Sequence, residues 1–154
     1  MSIPREIIEK YTYSGKMIAT AESCTGGMVS AALTDIPGSS AVVERGFVTY
    51  TNAAKNEMLC VCRSTLEAHG AVSEAVAGEM AKGALSASHA QIAVSITGIA
   101  GPGGSEHKPE GRVCFGLADA KTLHTETIEF GPLGREHVRI AARDHALKLI
   151  LSAI

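Results

Sequence analysis

The chain has 154 residues, 45% of them apolar and 19% charged, with a formal charge of −2. That is enough to bury a core unaided, and nothing calls for nucleic acid: Lys and Arg are scattered, and three Tyr, three Phe and no Trp offer bases no stacking platform. No apolar stretch reaches a membrane span, and Met1 to Glu6 lacks the basic and apolar regions of a signal peptide, which predicts a cytoplasmic protein with no membrane partner.

In chain order, Ile3, Ile7, Ile8 and Tyr11 stand at helical spacing and predict a helix over 3–14. Lys16 to Thr20 reads as a strand, and Ser23 to Leu33 as the helix that follows it. Asp35 to Ser40 carries turn chemistry, and Val42 to Tyr50 is rich in β-formers. Asn52 to Leu59 is a short helix with Asn52 as its N-cap, and Ser64 to His69 is another, closed by Gly70. Ser73 caps a helix running to about Ser86, with Val76, Met80, Ala84 and Leu85 on one face. Its small residues predict close packing. Gln91 to Thr97 is a buried strand, followed by the glycine-rich loop 98–105. Arg112 to Asp119 and Leu123 to Phe130 form a hairpin around Ala120-Lys121, and an amphipathic helix runs from Gly134 to the end. Strands alternating with helices, and helices at both ends, predict one three-layer α/β/α domain over 1–154 with a mixed central sheet.

The chemistry concentrates at two glycine-rich loops that each follow a strand, 23–27 and 97–104. If those strands are parallel neighbours, the loops converge. Neither loop matches a dinucleotide or P-loop pattern. Ser23 and Cys24 are both candidate nucleophiles, and the glycines beside them allow close backbone approach to a ligand. Tyr50 ends a strand and Lys55 lies in the first turns of the next helix. A serine needs a base, and a desolvated lysine has a lowered pKa. Only His107 lies near these loops, so a Ser-Lys arrangement has an obvious base where a Ser-His-Asp one has none. The cysteines have no zinc-type spacing; Cys60, Cys62 and Cys114 read as small buried hydrophobes. With six dispersed histidines, neither a metal nor any other cofactor is expected.

Five blocks then carry a family resemblance: A-E-S-C-T-G-G (21–27), R-G-F-V-T-Y-T-N-A-A-K (45–55), H-G-A-V-S-E (69–74), S-I-T-G-I-A-G-P-G-G (95–104) and K-P-E-G (108–111). In this order and spacing the chain resembles the C-terminal-type domain of the competence-damage-inducible CinA family, in its stand-alone nicotinamide-nucleotide amidase form. The resemblance implies hydrolysis of nicotinamide mononucleotide to nicotinic acid mononucleotide and ammonia. It implies Ser23 as nucleophile and Lys55 as base, with Tyr50 and Thr97 assisting, and raises Ser23 over Cys24. Backbone N–H groups of Cys24, Thr25, Gly26 and Gly27, or of the loop bearing Gly98, Gly101 and Gly104, would serve the oxyanion or the phosphate. Arg45 and Arg139 are further phosphate candidates. Glu22 would orient Lys55, bind ribose hydroxyls or cap the helix. Family analogy also implies a homo-oligomer.

The chain departs from the family pattern at Glu110, where a small apolar residue is usual, at Arg112, where a small polar one is, and at Leu133-Gly134-Arg135, which lacks the usual Asp before Arg. The rival readings are a non-catalytic nucleotide-binding accessory domain linked to competence or DNA damage, and an amidase for another small amide. The intact set Ser23, Tyr50, Lys55 and Thr97 favours an enzyme.

Overall fold

A computed structural model describes residues 1–154. Six helices and five strands follow one another as α1 (Ile3–Ser14), β1 (Ile18–Glu22), α2 (Met28–Thr34), β2 (Val43–Val48), α3 (Asn52–Leu59), α4 (Arg63–His69), α5 (Glu74–Ser86), β3 (Ile92–Gly98), β4 (Arg112–Ala118), β5 (Leu123–Glu129) and α6 (Arg135–Ser152). The strands form one mixed sheet in the order β2-β1-β3-β4-β5. β1 runs parallel to both neighbours, and β4 and β5 are antiparallel additions. Helices α1, α2 and α6 contact one another on one face, and α3, α4 and α5 on the other. The α/β/α layering expected from the sequence is therefore present.

Local chemistry explains most boundaries. The Ser2 hydroxyl caps α1, Pro4 sits in its first turn, and Gly15 ends it at φ 72°. Ser73 caps α5 as its position predicts. Thr51, not Asn52, caps α3 by accepting the Ala54 N–H. The first helix after β1 begins at Met28 rather than Ser23, because Gly26 (φ 59°) and Gly27 (φ 110°) turn the chain out of helical geometry before it can start.

The two faces of the sheet differ in bulk. Towards α1, α2 and α6 point Ile18, Ile92, Val94, Ile96, Val113 and Phe115, all in the larger core cluster. The alternate positions of the same strands are Ala19, Ala21, Ala93, Ser95, Thr97, Cys114 and Gly116. This small-residue face lets α5 lie almost on the backbone, and the Ser95 hydroxyl donates to the Ala77 carbonyl at 2.5 Å. A Cβ added at Gly116 would stand 2.5 Å from that same carbonyl oxygen. Gly116→Ala is expected to cost about 1–3 kcal/mol by overpacking. Urea unfolding checks this; an unchanged midpoint would show that α5 can retreat.

Parallel register sets up the site. Glu22 pairs with Val48 on one side and Ile96 on the other. β1 and β2 therefore end level, with Ser23 and Thr49 immediately beyond them, and β3 runs on through Thr97 and Gly98 beside them. No helix is long and apolar enough to cross a membrane.

Candidate active site

Ligands of open α/β sheets sit in the crevice at the carboxyl ends of parallel strands. Here a cavity of about 360 Å³ lies over the ends of β1 and β3, with Ser23, Lys55 and Thr97 among its lining residues. Lys55 comes from α3 and is 1% exposed; Ser23 is 8% exposed. Lys55 Nζ lies 3.0 Å from Ser23 Oγ, 3.0 Å from the Thr49 carbonyl and 3.2 Å from the Tyr50 carbonyl. No carboxylate pairs with it. Burial holds its pKa below the 10.5 of an exposed lysine, with Cys24 and Glu106 opposing the shift electrostatically. In the neutral amine two N–H bonds satisfy the two carbonyls, and the lone pair is left for the Ser23 hydroxyl proton. A hydroxyl beside a desolvated amine is an arrangement that nucleophile and general-base chemistry can use.

The thiol of Cys24 is a poor competitor. Burial pushes its pKa up to about 12, which keeps it protonated. Its sulfur packs into the core, 3.1 Å from where a Gly98 Cβ would lie. The backbone of this segment offers more. Ser23 N–H donates to the Ile96 carbonyl and Gly26 N–H to the Ser23 carbonyl, while the N–H groups of Cys24 and Thr25 donate to no other residue. Free donors directly after a nucleophile are what an oxyanion requires.

Glu22 answers the question of an anion at the helix start. Its carboxylate is fully buried and accepts from the N–H groups of Gly27 (3.2 Å), Val29 (3.0 Å) and Ser30 (3.1 Å) and from the Ser30 hydroxyl (3.1 Å). The N-terminus of α2 is therefore occupied by the chain's own carboxylate. Glu22 caps α2, with both carboxylate oxygens taken up by these donors and neither bonded to Lys55. Gly27 has its N–H committed in the same way, and Thr25, Gly26 and Gly27 lie outside the cavity wall.

The mouth is built from the β2–α3 connection, the 98–105 loop and the start of α6. Tyr50 is 56% exposed, and its hydroxyl accepts from Arg135 Nη2 at 2.7 Å. Arg135 Nη1 donates to the Gly101 carbonyl at 2.6 Å. Gly98, Gly101 and Gly104 line the wall. The Thr97 hydroxyl donates a hydrogen bond to the Ala71 carbonyl at 2.9 Å.

Two predicted phosphate ligands are elsewhere. Arg45 sits at the opposite end of the sheet, paired with Glu44 and bonded to the Ala87 carbonyl. Arg139 supports the nucleophile loop from behind, donating to the carbonyls of Cys24 (3.0 Å) and Thr25 (3.4 Å). The arginine that does line the cavity is Arg135, which spacing alone did not single out. Its signal was position: the first residue of the last helix, directly after Gly134. Of the cysteines read as buried, only Cys114 is; Cys60 and Cys62 are exposed because the intervening Val61 takes the inward position.

The sequence model of the CinA C-terminal domain matches residues 1–154. The nicotinamide-nucleotide amidohydrolase PncC of Enterobacter agglomerans is 53% identical over 140 residues, a match covering 89% of this chain and 84% of that protein. A CinA-like protein of Chlorobium phaeobacteroides (strain BS1) is 50% identical over 145 residues, covering 91% of this chain and 34% of that protein, so the chain spans about a third of its length. The crystal structure of the competence/damage-inducible protein CihA from Agrobacterium tumefaciens superposes with a TM-score of 0.94 at 48% identity, covering 97% of this chain and 92% of that one.

Proposed function

Because the chain belongs to the CinA C-terminal domain family, we propose that it hydrolyses the carboxamide of nicotinamide mononucleotide, giving nicotinic acid mononucleotide and ammonia, by a Ser23–Lys55 pair. The observation that carries this is the 3.0 Å contact between Lys55 Nζ and Ser23 Oγ, with the other lysine N–H bonds held by two backbone carbonyls. The amidohydrolase name of a 53% identical relative supports the reaction class.

In the first step Lys55 takes the Ser23 proton as Oγ bonds to the carboxamide carbon. The oxygen of that carboxamide becomes an oxyanion facing the Cys24 N–H, whose residue lines the cavity beside Ser23. The C–N bond then breaks as the Lys55 ammonium protonates the leaving nitrogen, and ammonia departs. Lys55 is the donor because it has just taken the Ser23 proton and stands 3.0 Å from Oγ, whereas the Thr97 hydroxyl is committed to the Ala71 carbonyl. Thr97 and Tyr50 assist by shaping the pocket. A water gives its proton to the neutral Lys55 and attacks the acyl-serine; Lys55 returns that proton to Ser23 Oγ, and the acid is released. Arg135, at the mouth beside Gly101, meets the substrate phosphate.

Ammonia release from nicotinamide mononucleotide, nicotinamide riboside and nicotinamide tests the reading. The nucleotide is expected to show kcat/KM about 10- to 100-fold above the riboside, the worth of one charged hydrogen-bonded contact. Equal rates on all three would mean another small amide is the substrate, and no release from any would favour a non-catalytic binding domain.

A further inference from the structure

The loop that walls the cavity has almost no support of its own. Residues 100–104 make no backbone–backbone hydrogen bond. Two side chains hold them. Arg135 donates to the Gly101 carbonyl, and the Gly103 N–H donates to Glu110 Oε1 at 2.7 Å. The second oxygen of the same carboxylate, Oε2, accepts the Gly134 N–H at 2.9 Å. Gly134 immediately precedes Arg135. The side chain of Glu110 also packs on Gly101, where an added Cβ would meet its Cδ at 2.6 Å.

These contacts close a ring. Glu110 ties the loop to the first turn of α6, and Arg135 ties that turn back to the loop and outward to Tyr50. The carbonyl of Tyr50 is one of the two that hold Lys55. One carboxylate therefore sets where the guanidinium stands relative to the glycine wall.

We infer that Glu110 is a positioning residue of this chain: its carboxylate locks the 100–104 loop to the start of α6 and so presets Arg135 for the anionic end of the substrate. The identity of that anionic end rests on the function proposed above. The clamp itself does not.

Steady-state kinetics of Glu110→Ala and Glu110→Gln on nicotinamide mononucleotide test it, alongside amide hydrogen exchange at Gly103 and Gly134. Alanine is expected to raise KM about tenfold with kcat changed less than about twofold, the pattern of lost binding rather than lost chemistry. Glutamine keeps one of the two links and should fall between alanine and native. Introduced into an Arg135→Ala background, Glu110→Ala should add little, since the two residues act as one unit. Exchange at Gly103 and Gly134 should accelerate at least about tenfold in Glu110→Ala with the unfolding midpoint unchanged. A fall in kcat with KM unchanged, or a full tenfold KM effect persisting without Arg135, would overturn the positioning role. Unchanged exchange at both glycines would overturn the clamp. If the native protein released no ammonia, the function proposed above would fail while the exchange measurement still decided the clamp.

Discussion

Replacing Lys55 with methionine, or Ser23 with alanine, is expected to lower kcat for ammonia release by about 10⁴- to 10⁶-fold, and the double variant should be no worse than either single one. The two side chains act as one unit: without the amine the hydroxyl has no proton acceptor within reach, and without the hydroxyl the amine has nothing to activate. Full activity in Ser23→Ala would end the serine proposal, and full activity in Lys55→Met would remove the base. A pH signature accompanies this. Lys55 must be neutral to act, and burial lowers its pKa, so kcat/KM should rise with pH along a limb placed below the usual lysine range. Stability follows the same sign. The folded pKa lies below the unfolded value, so between the two the unfolded chain binds more protons and stability rises with pH, by at most about 1.4 kcal/mol per unit. Lys55→Met should flatten that slope, and unfolding curves across alkaline pH would show it.

Glu22→Gln is expected to destabilise the fold by about 3 kcal/mol and lower Tm by about 6–12 °C. The change is nearly isosteric, yet the native carboxylate only accepts, from three backbone N–H groups and one hydroxyl. An amide must turn an NH₂ towards one of those donors in a site with no access to water. Two donors would then face each other, and at least one backbone N–H of the α2 start would be buried unpaired. Calorimetry checks this, and a Tm within 2 °C of native, about what 0.5–1 kcal/mol would produce, would mean the cap is dispensable.

Much of this arrangement is legible along the chain. Helical spacing of Ile3, Ile7, Ile8 and Tyr11, and the capping chemistry of Ser73, mark α1 and α5 to the residue or nearly so. The convergence of two glycine loops follows from parallel pairing of β1 and β3, and pairing is what the alternation of strands and helices suggests. What is not legible is the direction in which side chains reach. The apolar pattern from Met28 onwards looks the same whether the helix starts at Ser23 or Met28, and only the left-handed backbone at Gly26 and Gly27 decides. A glutamate beside a serine and a thiol reads as site chemistry. That it folds back over five to eight residues to cap a helix depends on three-dimensional packing. Arg45, Arg135 and Arg139 are equivalent as charges in a string. The packing of α6 over β3 and β4 sends Arg139 to the back of the 23–27 loop and Arg135 to the mouth, while the strand direction of β2 carries Arg45 to the far end.

Lysine in this site is held by main-chain carbonyls rather than by acidic side chains. Every amino acid carries that carbonyl, so no point substitution at Thr49 or Tyr50 deletes either acceptor. The placement of the amine is thus encoded in the path of the chain and is buffered against mutational drift at those two positions. Its vulnerability is to length: one residue inserted or lost between β2 and α3 is expected to move the carbonyls, and with them the proposed base, with every site residue still present.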